Sequence, residues 1–241
     1  MRLGSCLLFY NNYCYLSYGW NFKRPLGRLN DVISSLDEYE VDEILILRPI
    51  RGSNDPNWDS DIRELSNLNI STPLLFGGGI RGKQKLKDLH SLPIERMCFS
   101  SSSFSNKANI SLINEATEIF GRQAIVGCLP YRFEKDKLSF FHSSKNEFLE
   151  ISEKDLDHLD AIFNEIILFD CELEGYSGHN PKRILDRVPF KQDKLILSGG
   201  IEKDSVKYIK SEFSLAAVYI DNSTLFEEQK IKRIKRYAKL N

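Results

Sequence analysis

Short runs of consecutive apolar residues recur along the chain, separated by stretches in which apolar positions fall three or four apart. The continuous runs cover residues 3–9, 43–47, 73–76, 96–99, 124–129, 165–169, 194–197 and 215–220. Continuity without alternation predicts parallel strands buried on both faces. Helical spacing occupies residues 29–39, 62–68, 107–120, 153–163 and 204–212, with Ile110, Ile113, Ala116 and Phe120 tracing one stripe. Eight strand–helix repeats predict an α/β fold, a (β/α)8 (TIM) barrel made as one domain from residues 1–241. The rival, an open doubly wound sheet, uses about five or six strands. Two polar excursions interrupt the rhythm, at residues 48–60 and 131–154. In a barrel they belong to the C-terminal rim, where active sites are built. The second also reads as a hairpin, because residues 137–142 and 147–151 have strand character.

Composition narrows the function classes. A formal net charge of −1 gives no global field to attract nucleic acid or an anionic membrane, so neither is an expected partner. The basic stretch 230–239 carries Ile231, Ile234 and Tyr237 at helical spacing and reads as the solvated face of a last helix. Five cysteines form no CxxC pair, and Cys6, Cys98 and Cys128 sit in strand runs as small hydrophobes. Four scattered histidines predict no metal, and no other cofactor is called for. The first strand begins almost at once, without the basic region and cleavage site of a signal peptide, so a cytoplasmic location is the expectation.

The most specific local pattern is Leu74 to Arg81, a strand running into Gly77, Gly78 and Gly79. Glycines there let backbone amides approach an anion without interference from a Cβ. Residues 195–201 repeat the pattern with Gly199 and Gly200 after the seventh strand, half a barrel away. Small polar residues follow the next strands, Ser100 and Ser101 in one case and Asn222 and Ser223 in the other. One glycine turn alone would read as a tight strand–helix connection. Two matched sets predict two phosphate sites facing each other: Gly78, Gly79, Ser100 and Ser101 in one, and Gly175, Gly199, Gly200, Asn222 and Ser223 in the other.

These residues resemble the HisA/HisF barrels of histidine biosynthesis, especially the cyclase subunit of imidazole glycerol phosphate synthase. Phe76 to Arg81 is similar to that family's glycine motif after strand three, residues 96–121 to its fourth strand and helix, and Asp170 to Gly178 to its acidic loop after strand six. The likeness spans nearly the whole chain. It implies a general acid and a general base, aspartates at the ends of strands one and five, but Leu8 and Pro130 stand there. Arg48 replaces the acid on strand two, and the lysine expected before Gly19 is Ser17 or Tyr18. A divergent branch that lacks the first aspartate, with Cys-Leu-Leu as at residues 6–8, is associated with surface-polysaccharide pathways.

The resemblance also implies a ring of alternating charge at the N-terminal barrel mouth, formed by Arg2, Glu43, Arg96 and Glu165, as an ammonia gate or docking face for a glutaminase partner. The expected function is therefore a barrel subunit of a glutamine-dependent synthase pair. It would use ammonia from a HisH-like glutaminase on a phosphorylated or nucleotide-linked sugar. Glu172, Glu174 and His179 are candidate proton-transfer groups, each also readable as a surface-loop residue. The alternatives are a non-catalytic barrel that docks and activates the glutaminase, and a true cyclase with relocated acids.

Overall fold

The structure, a computed structural model, describes residues 1–51, 54–100, 107–143, 145–221 and 230–239. Eight parallel strands close the barrel: β1 (Arg2–Tyr10), β4 (Glu43–Leu47), β5 (Leu74–Gly77), β6 (Arg96–Phe99), β7 (Ile125–Glu134), β10 (Glu165–Asp170), β11 (Leu195–Ser198) and β12 (Ala217–Asp221). Pairing of β7 with β10 and of β12 with β1 leaves no open edge between them. The remaining strands are β2 (Tyr13–Tyr18), β3 (Phe22–Arg28), β8 (Lys137–His142) and β9 (Glu147–Leu149). The helices are α1 (Leu29–Glu38), α2 (Trp58–Ser66), α3 (Lys83–His90), α4 (Lys107–Phe120), α5 (Glu153–Ile162), α6 (Pro181–Leu185), α7 (Lys203–Glu212) and α8 (Lys230–Lys239). None of the described helices is long and apolar enough to cross a membrane.

The continuous apolar runs have the predicted cause. Within β4, Ile44 and Ile46 pack outward against the helices while Leu45 packs inward with Leu75, Val126 and Ile196. Both faces are thus dry, so alternation is not needed. The inner face is filled by side chains, among them Tyr219, Phe169 and four cysteines, Cys6, Cys98, Cys128 and Cys171. The barrel is a packed core and not an open pore.

Two rim hairpins extend the barrel strands. β1 runs to Tyr10 and turns through Asn11 and Asn12 (φ 52° and 65°) into β2, and β2 pairs with β3. This hairpin, at residues 10–28, was not among the expected elements. Its signal was an Asn-Asn pair flanked by tyrosines, a two-residue turn that tolerates positive φ. The excursion after strand five takes the hairpin reading, with β7 continuing to Glu134 and pairing with β8 through a turn at Lys135 and Asp136.

Candidate functional site

A cavity of about 720 Å³ opens at the C-terminal ends of the barrel strands. One wall is the turn from Gly78 to Lys83 together with Ser100. A Cβ on Gly78 would lie 2.0 Å from the Arg48 carbonyl oxygen, so only glycine lets the turn pass beneath the end of β4. Arg81 and Lys83 place cations at the same wall. Backbone amides, a hydroxyl and two cations together suit an anionic group. Ser101, assigned to this cradle from the sequence, lies outside the described residues.

The floor of the cavity is apolar, formed by Leu8, Leu47, Cys98, Cys128 and Pro130. Leu8 and Pro130 are both buried. Among the described residues that line this cavity Glu115 is the one carboxylate, and it sits 3.2 Å from Lys83. Neither a leucine nor a proline moves a proton, so the floor presents no acid–base pair. Lys23 from β3 does reach the cavity; burial first, then neighbouring Arg51, pull its ammonium below the usual lysine range. Lys23 is not legible in the sequence because the hairpin that delivers it is not, whereas Arg51 lies in the 48–60 excursion that the sequence already places at the rim.

Arg48, at the strand-two position, is a structural clamp. Its buried guanidinium binds both oxygens of Asp55 at 2.7 and 2.8 Å and Oδ2 of Asp61 at 2.9 and 2.7 Å. Lys85 adds a contact of 3.2 Å to Asp55, and Arg48 lies 5.1 Å from the centre of the Trp58 ring. Burial opposes the charge on Arg48, but Asp55 and Asp61 outweigh it and hold the guanidinium ionised. Burial likewise works against the Asp55 carboxylate, which Arg48 and Lys85 hold below its ordinary range.

The second glycine set has a different environment. Gly199 and Gly200 are buried, and a Cβ on them would strike the Asp170 carbonyl oxygen at 2.3 Å and the Leu173 side chain at 2.8 Å. A Cβ on Gly175 would likewise lie 2.2 Å from the Ser17 carbonyl oxygen. His179 closes the turn, with Nδ1 2.7 Å from the Gly199 carbonyl oxygen. Burial pulls the imidazole down to about 4 against that hydrogen bond, so it is neutral at pH 7 with Nδ1–H donating. Glu174 and His179 are buried, which corrects the surface-loop reading for both; Glu172 is exposed and accepts from the Phe133 N–H at 3.3 Å. Asn222 and Ser223 lie outside the described residues.

Asp170 is an acid that sequence reasoning passed over although its motif was in view. Its Oδ1 accepts from the N–H groups of Glu172 and Leu173 at 3.0 and 3.1 Å, and the Tyr131 hydroxyl also donates to it. Burial nevertheless raises the carboxyl above its usual range.

At the opposite mouth, the four charged residues at the strand starts meet. Arg2 donates to Glu43 at 3.0 Å and to Glu165 at 2.7 Å, and Arg96 donates to the same two acids at 3.1 and 2.5 Å. Burial would raise the Glu165 carboxyl, but Arg2 and Arg96 hold it below its usual range. Among the described residues, no group of three or more His, Cys, Asp or Glu side chains is arranged to hold a metal ion.

Comparison with known proteins places this geometry in context. The family described as histidine biosynthesis protein matches residues 25–228. The imidazole glycerol phosphate synthase subunit HisF of Wolinella succinogenes is 25% identical over 226 residues, covering 90% of this chain and 86% of that protein. The protein of the same name from Staphylococcus epidermidis is 23% identical over 185 residues, covering 73% and 71% of the two chains.

Proposed function

The chain belongs to the histidine biosynthesis protein family, and from that membership we propose that it is the barrel subunit of a glutamine-dependent synthase pair. A glutaminase partner docks at the charged N-terminal mouth and releases ammonia. The acceptor is a phosphorylated or nucleotide-activated sugar of surface-glycan synthesis, whose phosphate sits on Gly78, Gly79 and Ser100. The observation that carries the reading is the closed ring of Arg2, Glu43, Arg96 and Glu165, which lies at the end of the barrel opposite the cavity. Such a ring satisfies its own charges and still offers a flat face of fixed polarity to a partner.

A second reading rests on the apolar floor. With Leu8 and Pro130 below the cavity and Glu115 engaged by Lys83, the barrel can dock and activate its partner without chemistry of its own. Mixing the purified barrel with a candidate glutaminase and measuring complex formation and glutamine hydrolysis tests docking. Wild type is expected to bind and stimulate hydrolysis, and Glu43→Ala and Arg96→Ala to do neither. No complex and unchanged hydrolysis would make the ring purely structural. If the pair forms but inorganic phosphate and pyrophosphate fail to bind the barrel, the non-catalytic reading replaces the synthase. Growth of a histidine auxotroph on this gene would instead restore the cyclase.

A further inference from the structure

A second chamber of about 710 Å³ adjoins the cavity already described, and the two share Trp20, Arg51 and Phe141 in their walls. Rings and guanidinium groups dominate the shared region. The Trp20 ring meets Phe141 edge-on at 4.9 Å between centres and lies 6.4 Å from Phe148. Arg51 stands over Phe141 at 5.1 Å and over Trp20 at 5.9 Å, and Arg132 covers Phe148 at 4.0 Å. Trp20 occupies the tip of the β2–β3 hairpin with a left-handed φ of 62°, a conformation that a bulky side chain adopts only when its surroundings hold it there.

Two donors here lack an acceptor. Trp20 Nε1 and Arg132 Nε are buried and have no hydrogen-bond partner among the described residues. A buried, unsatisfied N–H is costly, but both nitrogens are sealed within the wall and the Arg132 guanidinium pairs with Glu134, so the open lining and not these donors selects an occupant. The same chamber is lined by Glu147 and Glu172, so its charge is mixed and does not favour a second phosphate. A planar, uncharged ring bearing an amino group matches the open lining: aromatic rings to pack against and carboxylates to receive the amino group.

We infer that the chamber between the two rim hairpins is a nucleobase subsite, built on Trp20, Phe141 and Phe148 and flanked by Arg51 and Arg132. It rests on the proposed phosphate cradle, because the ligand then runs from Gly78, Gly79 and Ser100 across Trp20 to the hairpins. It does not run toward Gly199 and Gly200, neither of which lines either cavity. The acceptor is thereby narrowed to a nucleoside diphosphate conjugate.

Titration calorimetry with ADP, GDP, CDP and UDP, with the four parent nucleosides, with inorganic pyrophosphate and with dodecyl phosphate tests this. At least one nucleoside diphosphate is expected to bind tenfold or more tighter than pyrophosphate. Trp20→Leu and Arg132→Gln are each expected to erase that preference and leave pyrophosphate affinity within twofold; Arg132 lies on a rim strand, so its variant covers the case in which Trp20→Leu misfolds. Equal affinity for pyrophosphate and every nucleoside diphosphate, or a preference that survives both substitutions, overturns the subsite and leaves the cradle standing. Dodecyl phosphate outcompeting every nucleotide overturns it in favour of an acyl chain. Nucleosides that bind while pyrophosphate does not would uphold the subsite and remove the cradle. Binding of none of these compounds overturns both.

Discussion

The two glycine turns have nearly the same backbone and opposite surroundings. Gly78 and Gly79 adopt φ of 93° and 78°, and Gly199 and Gly200 adopt 91° and 71°. In each pair the first glycine passes under the carbonyl that ends or follows the preceding strand, Arg48 in one half and Asp170 in the other. Yet the first turn lines a cavity and the second is buried under Leu173 and His179. The glycines therefore specify a close backbone crossing, and the segment that follows the preceding strand decides whether the crossing is open. Arg48 pulls Asp55 and Asp61 inward, holding its loop beside the turn. Asp170 caps its own loop, which folds back over the turn.

Substitution at Arg48 should disturb the first turn most severely. Arg48→Ala leaves buried Asp61 without its cation and Asp55 with Lys85 alone, a loss of about 3–5 kcal/mol when one partner of a buried pair is removed. Urea denaturation should show a large drop in midpoint, with Arg48→Lys falling between because an ammonium cannot span both acids. An unchanged midpoint would mean that the loop is held by something else.

Between about pH 6.5 and 4, above the range in which Asp55 is protonated, acid should loosen the second turn and not the first. The folded His179 titrates at about 4, below the ordinary histidine value of 6.5, so between those values the unfolded chain binds more protons. Stability is then complete above about pH 6.5 and falls as the pH drops toward 4, by on the order of 3 kcal/mol from this residue. His179→Gln should flatten that window. The protection factor at Gly200, exchange relative to the intrinsic rate at each pH, should fall on acidification in the wild type while that at Gly79 holds, and matched behaviour at both turns would sink the contrast.

Alanine at the two crossings sharpens it. Gly78→Ala and Gly199→Ala both force a left-handed residue against a carbonyl oxygen, at 2.0 and 2.3 Å, and both should cost roughly 1–3 kcal/mol. Under the proposed function only Gly78→Ala should also weaken phosphate binding. Equal loss of phosphate affinity in the two variants would restore the symmetric pair of sites that the sequence suggests.

Much of this is legible in the sequence. The eight barrel strands and the glycine turns followed from apolar continuity and from the Gly-Gly pairs, which are local signals. The four ring residues stand at strand starts, but the resemblance to the HisA/HisF barrels is what singled them out as a ring, and their mutual contacts follow once the barrel closes. What escaped was set by tertiary packing. Asn11 and Asn12 give a turn signal, but nothing local says that the hairpin carries Trp20 and Lys23 over the mouth. Nor does a glycine pair reveal what covers it: Gly199 and Gly200 look like Gly78 and Gly79 in the sequence, and Leu173 and His179 reach them from another loop.

A milder substitution separates the two residues that organise these loops. Asp170 is held by two backbone N–H groups and by the Tyr131 hydroxyl, so Tyr131→Phe removes one hydrogen bond of three and empties no charge pair. The loss should be about 1 kcal/mol, the ordinary worth of one such bond, while the Asp170 carboxyl, already raised by burial, moves higher still. Denaturation and a carboxyl titration followed by NMR would report both. A loss as large as that of Arg48→Ala would show that Asp170, like Arg48, is a clamp on which its half of the rim depends. A small loss with the upward shift would mean that backbone capping alone keeps the second turn covered.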